Sequence, residues 1–170
     1  MTAPKPSALY DAARLEEIAE LGLLDPTPDP VLDAIATAAA ERLGMPMGVV
    51  SVVMGEAQSF AATHGVEGWM DEVAGTPGEW AFCAHSVESR EAFIVEDATT
   101  HPLVRDNPLV QADGIRCYAG FPLISSRGHV LGNLCVIGTE DHTFGPEELG
   151  ILRGLADDVV RHIETRRANG

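Results

Sequence analysis

The chain has 170 residues, 26 of them acidic and 11 basic, for a formal net charge of −15 and a pI near 4.6. That excess of negative charge works against nucleic acid or an acidic membrane surface as a partner, because both reward clustered Lys and Arg. Lys5 is the only lysine, so P-loop, Schiff-base and lysine-base chemistry are removed from everything after the N-terminal tail.

At 18.0 kDa and 45% hydrophobic residues the chain is long enough to bury one sizeable core without disulfides or metal. Three cysteines without a short paired spacing fit a reducing compartment better than a disulfide framework. The N-terminus lacks the apolar core of a signal peptide and no apolar run approaches bilayer length, so a cytoplasmic protein is expected.

Residues 1–13 read as a Pro-rich tail and the start of the first helix, 14–167 as one domain, and 168–170 as a C-terminal tail. Ser7 or Asp11 is placed to cap a helix running to about Leu21, with Leu15, Ile18 and Leu21 on the core face and Glu16, Glu17 and Glu20 on the outer one. A second helix spans about Pro30–Leu43, opened by Asp29 and Pro30 and closed by Gly44. Met47–Met54 is dense in β-branched residues and reads as a central strand, paired as a hairpin with Gln58–His64. Gly65–Gly78 is expected to be a loop, Trp80–Glu88 a brief helix, Ala92–Val95 a short strand and His101–Asp113 two successive helical turns. The closing helix starts at Gly145-Pro146-Glu147-Glu148, with Leu149, Leu152, Ala156, Val159 and Ile163 at steps of three and four.

Between these lies Ile115–Thr139, two apolar strands joined by Ser-Ser-Arg-Gly-His. Alternation divides the first into a core set, Ile115, Cys117, Ala119, Phe121 and Leu123, and a mixed set, Arg116, Tyr118, Gly120, Pro122 and Ile124. An even loop, such as a type I′-like Arg127-Gly128 turn, would add Leu134 and Val136 to the core set and Asn133, Cys135 and Ile137 to the mixed one. Strands apolar on both sides are covered on both sides. The pattern therefore predicts an α+β fold: an antiparallel sheet with the N- and C-terminal helices on one face, and a loop and short-helix cover over a pocket on the other.

The entry RLEEIAELGLLDPTPDPVLDAI, the strand GVVSVV, FCAHSV at 82–87, DNPLVQADGIRCYAGFPLIS at 106–125 and LGNLCVIGTEDHTFGPEELGILRGLA at 131–156 occur in an order that resembles the GAF domain family, PAS-like sensory modules, from about Arg14 to Leu155. The chain looks like the bacterial branch found beside histidine kinases and diguanylate cyclases. The resemblance implies a small-molecule pocket between sheet and cover, a homodimer through the terminal helices, and a kinase or cyclase partner. With no output domain after Gly170, a separate partner or a longer system is expected to carry the output. The Asn-Lys…Phe…Asp-Glu signature of the cyclic-nucleotide branch is missing, which argues against that ligand. Ala84 separates Cys83 from His85, unlike the usual Cys-His of bilin attachment, which argues against a bilin. The free methionine sulfoxide reductases share the fold, but Cys83, Cys117 and Cys135 do not match their cysteine placement.

No G-x-S-x-G, H-E-x-x-H, Gly-rich phosphate loop or Cys-x-x-Cys is present, which favours binding over catalysis, and no spacing asks for a metal. The candidate ligand-binding residues are Trp80, Cys83, His85, Asp106, Asn107, Arg116, Tyr118, Asn133 and Cys135, with Arg116 as an anion clamp and Tyr118 and Trp80 as flat walls. Two alternatives stand beside the sensor: a thiol-dependent reductase of a small oxidised metabolite, with Cys83 as the catalytic candidate, and a ligand-free interaction module whose pocket is filled by Phe82, Tyr118 and Phe121.

Overall fold

The computed structural model of the chain describes residues 11–23, 29–54, 57–65, 75–77, 86–87, 89–111 and 114–169. Their elements are α1 (Ala12–Glu20), α2 (Pro30–Leu43), β1 (Met47–Val53), β2 (Ala57–His64), β3 (Gly75–Pro77), β4 (Phe93–Val95), α3 (Pro108–Gln111), β5 (Cys117–Ile124), β6 (Val130–Gly138) and α4 (Pro146–Asn169). The strands form one antiparallel six-stranded sheet in the order β3-β2-β1-β6-β5-β4. The most apolar strands, β1 and β6, lie side by side at its centre, buried on both faces.

One face carries Val50, Val52, Cys117, Ala119, Leu134 and Val136 against Ile18 of α1, Leu32, Ala36 and Ala39 of α2, and Leu152, Val159 and Ile163 of α4. The other carries Val49, Val53, Tyr118 and Cys135 beneath a cover that includes Val87, Ala98, Val104, Val110 and Ile115. The α+β class, the antiparallel sheet and the placing of both terminal helices on one face follow the sequence pattern. Ile115 does not: β5 begins only at Cys117, so the alternation does not reach back to it, and it packs in the cover instead of under the helices.

The β5–β6 turn also differs from the two-residue form. Ser125 accepts the hydrogen bond of the Gly128 amide and donates its own amide to His129, which leaves a three-residue loop, Ser126–Gly128. Gly128 takes φ +86° while Arg127 does not turn left-handed, so the backbone needs one glycine where a type I′ turn needs two such residues. An odd loop would have exchanged the two faces of β6. Leu131, left unopposed between the pairs Leu123↔Gly132 and Ile124↔Val130, restores the parity. Leu134 and Val136 thereby reach the helix side as expected.

Gly75–Pro77, within the stretch read as a loop, is an edge strand paired with Ala57–Ser59, a position where proline's missing amide is tolerated. The brief helix expected over Trp80–Glu88 lies mostly outside the described residues; of these, 86 and 87 are helical.

Both N-terminal helices start where their capping residues predict. Asp11 accepts the Arg14 amide, and Asp29 accepts those of Val31 and Leu32. Asp29 does more than cap α2, because its Oδ2 also receives Arg166 Nη1 at 2.9 Å and lies 2.8 Å from His162 Nε2, both on α4. Burial alone would raise this carboxyl. The hydrogen bonds from His162, Val31, Arg166 and Leu32 outweigh that and hold it below the usual carboxylate range. A carboxyl lowered in the folded state stabilises above its unfolded pKa, and that stabilisation is lost as pH falls through the folded value. Asp29→Ala is therefore expected to cost about 1–3 kcal/mol at pH 7 by urea denaturation. The gap to wild type should narrow below about pH 4; a gap independent of pH would contradict the ion-paired cap.

Candidate functional site

Cross-strand partners share a face, so the register fixes the floor beneath the cover. Ser51, Asn133 and Pro122 form one row across β1, β6 and β5, and Val49, Cys135, Gly120 and Phe93 form the next, reaching β4. Tyr118 and Ile137 follow in a third. Gly120 carries no side chain in this floor, and the space a Cβ would take is filled by Asn133 Oδ1 and Tyr118 Oη. The phenol and the carboxamide thus both close over Gly120, and a larger residue there would have to push them aside.

Asn133 is 0% exposed, and neither its side-chain nitrogen nor its oxygen has a hydrogen-bond partner. The Ser51 hydroxyl at its side donates instead to the Asn133 main-chain oxygen, at 3.3 Å. Among the described residues the only other buried side-chain polar atom left unpartnered is Ser86 Oγ, next to Val87 in the cover. A buried donor or acceptor without a partner in the protein costs about 1–3 kcal/mol unless a bound molecule or water satisfies it.

Tyr118 is buried, its ring 5.9 Å from that of Phe93, which in turn meets His101 edge-on at 5.4 Å. Arg116 reaches the cover and not the helices: Nη1 donates to the carbonyls of Val110 and Ile115, at 2.9 and 3.0 Å. Its main chain joins the Ala98 amide to the Gly138 carbonyl, so Arg116 ties the cover to the sheet. The exposed Asp97 carboxyl is held below its ordinary range first by the Thr99 hydroxyl, with the Arg116 charge adding to the effect.

Of the residues singled out in the sequence, Tyr118, Asn133 and Cys135 come together on the floor, and Arg116 stands at its edge. Asp106 does not join them; its side chain is 89% exposed and 3.9 Å from Arg105. Asn107 opens α3, its carbonyl accepting the Val110 and Gln111 amides. Trp80, Cys83, His85 and the proposed plug Phe82 lie outside the described residues. Tyr118 does sit inside the packed layer, while Phe121 packs on the helix side. Ser51 and Ser86 were missed, although Ser51 is the single polar residue in VVSVV and could have been noticed on that ground.

A second feature joins this floor to the helices. Glu17, expected on the outer face of α1, is 4% exposed and accepts the Ser125 hydroxyl at 2.6 Å, with His129 Nδ1 at 2.9 Å. Arg127 pairs with Glu20 at 2.8 Å and approaches Glu17 at 3.6 Å, while Ser126 donates to Glu164 of α4. Arg14 Nη1 donates to the Val130 carbonyl at 3.1 Å. The tip of the hairpin bearing Tyr118 and Asn133 is thus clasped by both terminal helices.

At the far end of the sheet, Gly44–Pro46, Cys117 and Gly138–His142 line an open cleft of about 150 Å³. Burial pushes the Cys117 thiol up to about 11, so it stays protonated at neutral pH. Among the described residues no three His, Cys, Asp or Glu side chains gather to hold a metal ion, and no helix is long and apolar enough to cross a membrane.

Comparison with known proteins bears on the whole arrangement. A cyclic di-GMP phosphodiesterase of Pseudomonas aeruginosa is 35% identical over 160 residues, which cover 92% of this chain but only 26% of that protein's length. The GAF domain of a phosphoenolpyruvate-protein phosphotransferase from Coxiella burnetii has a TM-score of 0.69 at 20% identity, covering 97% of this chain and 99% of that one. A type II free methionine-R-sulfoxide reductase from Thermoplasma acidophilum has the same fold, with a TM-score of 0.64 at 13% identity over 79% of this chain and 91% of that one. The family model for the GAF domain matches residues 25–164, and the chain belongs to that family of sensory and regulatory modules.

Proposed function

We propose that this GAF domain is a small-molecule sensor whose ligand lies between the sheet and its cover, against Asn133 and Tyr118, and whose occupancy is relayed through the β5–β6 hairpin to α1 and α4. The observation that carries this reading is the Asn133 carboxamide, sealed from solvent on a central strand with neither of its polar atoms paired. The relay would be a population shift: a ligand that favours one arrangement of the hairpin favours the packing of Glu17, Glu20 and Glu164 that goes with it. A homodimer through the two terminal helices and an effector beside the domain belong to the same proposal. Support for the effector comes from the likeness to one part of a cyclic di-GMP phosphodiesterase.

Native mass spectrometry of the chain purified from its own cells tests the binding step. A retained small molecule, lost on denaturation, is expected, and its removal should raise amide hydrogen exchange in α1 and in the C-terminal half of α4. A chain that never carries a ligand, or whose terminal helices ignore its removal, would contradict the reading.

The reductase alternative needs a thiolate. Cys117 is held protonated and Cys135 is buried, so that reading rests on Cys83. Iodoacetamide at pH 8 should leave Cys117 and Cys135 unmodified in the folded protein and label both in urea. Rapid labelling of Cys117 in the folded state would reopen the thiol chemistry.

A further inference from the structure

The chemistry a ligand must carry is constrained by what the floor and cover leave unpaired, granted that the face above Gly120 is the binding site. A carboxamide offers an N–H donor and a C=O acceptor side by side, and at Asn133 both are unpartnered. A carboxylate or phosphate would satisfy the nitrogen and set its negative oxygens against Oδ1. An ammonium group would satisfy the oxygen and leave the nitrogen facing a like donor. A planar group with its own adjacent donor and acceptor answers both at once, as the edge of a carboxamide, lactam or imide does.

Charge points the same way. Arg116 Nη1 is engaged by the Val110 and Ile115 carbonyls and Asp97 shares its field, so the residue expected to act as an anion clamp also braces the cover. Arg116 lies six residues along the chain from Pro122, the cross-strand partner of Asn133, so an anion against Asn133 would lose its hydration without a counter-charge beside it, and the chain as a whole carries −15. The apolar surroundings, Val49, Cys135 and the Tyr118 and Phe93 rings around the side-chain-free Gly120, suit a flat molecule.

We propose that Asn133 reads a neutral, planar ligand through a paired donor–acceptor edge, of the kind found on nucleobases, pterins and nicotinamide, and that the site rejects anions of the same shape. The carboxamide is sealed from solvent, so the cover parts to admit this ligand.

Matched probes test the edge on the intact chain. Nicotinamide is compared with nicotinate, and uracil with 1,3-dimethyluracil, by ¹⁵N-detected titration of the Asn side-chain amide signals and by calorimetry. Nicotinamide and uracil should shift the Asn133 signal and bind at least about tenfold more tightly than their partners. Asn133→Asp, which replaces the donor with a second acceptor, should abolish that preference. Equal binding within each pair, tighter binding of nicotinate, or no binding by either amide overturns the proposal. The wild-type comparisons decide this even if the variant fails to fold. A ligand retained from cells that lacks such an edge overturns the edge and leaves the sensor reading standing; a chain with no retained ligand and no response to any probe overturns both.

Discussion

The structure depends on the pairing of β1 with β6. These strands lie at the centre of the sheet, each with a layer on both faces, and a strand so enclosed must bury nearly continuous apolar side chains. The sequence supplies them in Val49–Val53 and Leu134–Val136. The same enclosure makes any polar side chain there expensive, because bulk water is excluded and only the protein or a molecule held inside it can satisfy it. Asn133 and Ser51, facing one another across the pair, are the exceptions. Ser51 is satisfied by a main-chain oxygen and Asn133 is not. A rule broken at the centre of an otherwise consistent core is the kind of place where function can override stability, and the proposed site is set there for that reason.

The hairpin links that place to the outside. Tyr118 and Asn133 sit along its body on the covered face, while its tip is clasped by Glu17 and Glu20 of α1 and Glu164 of α4. On either side of Glu164 in α4, His162 and Arg166 hold the cap of α2. The tip contacts are polar, with Arg127, Glu20 and Ser126 exposed and Glu17 buried beneath them. A site that leans on the hairpin's floor can bias the helices through its tip, provided its ligand distinguishes the two arrangements.

Much of this was legible in the sequence, because it depends on local pattern. Alternation along Cys117–Leu123 separated the helix-facing residues from Tyr118, and Asp29-Pro30 with Gly44 marked both ends of α2. What remained hidden depends on contacts distant in sequence. Helical periodicity placed Glu17 outside because it cannot register Ser125, 108 residues downstream, that buries it. The parity of β6 came out as expected only because Leu131 bulges to compensate for a three-residue loop, two departures that cancel. Arg116 was legible as a residue of the covered side but not as a brace, since its partner carbonyls belong to backbone whose position the side-chain pattern does not encode.

The central claim, that Asn133 is kept for a ligand at the expense of the fold, is tested most directly by the unfolding free energy of ligand-free Asn133→Leu against wild type. Replacing an unpaired buried carboxamide with an apolar side chain of similar size removes a desolvation penalty, so the variant should be more stable, by about 1–3 kcal/mol. A loss of stability of that size in the ligand-free protein would mean that the carboxamide serves the fold itself, and would contradict the account.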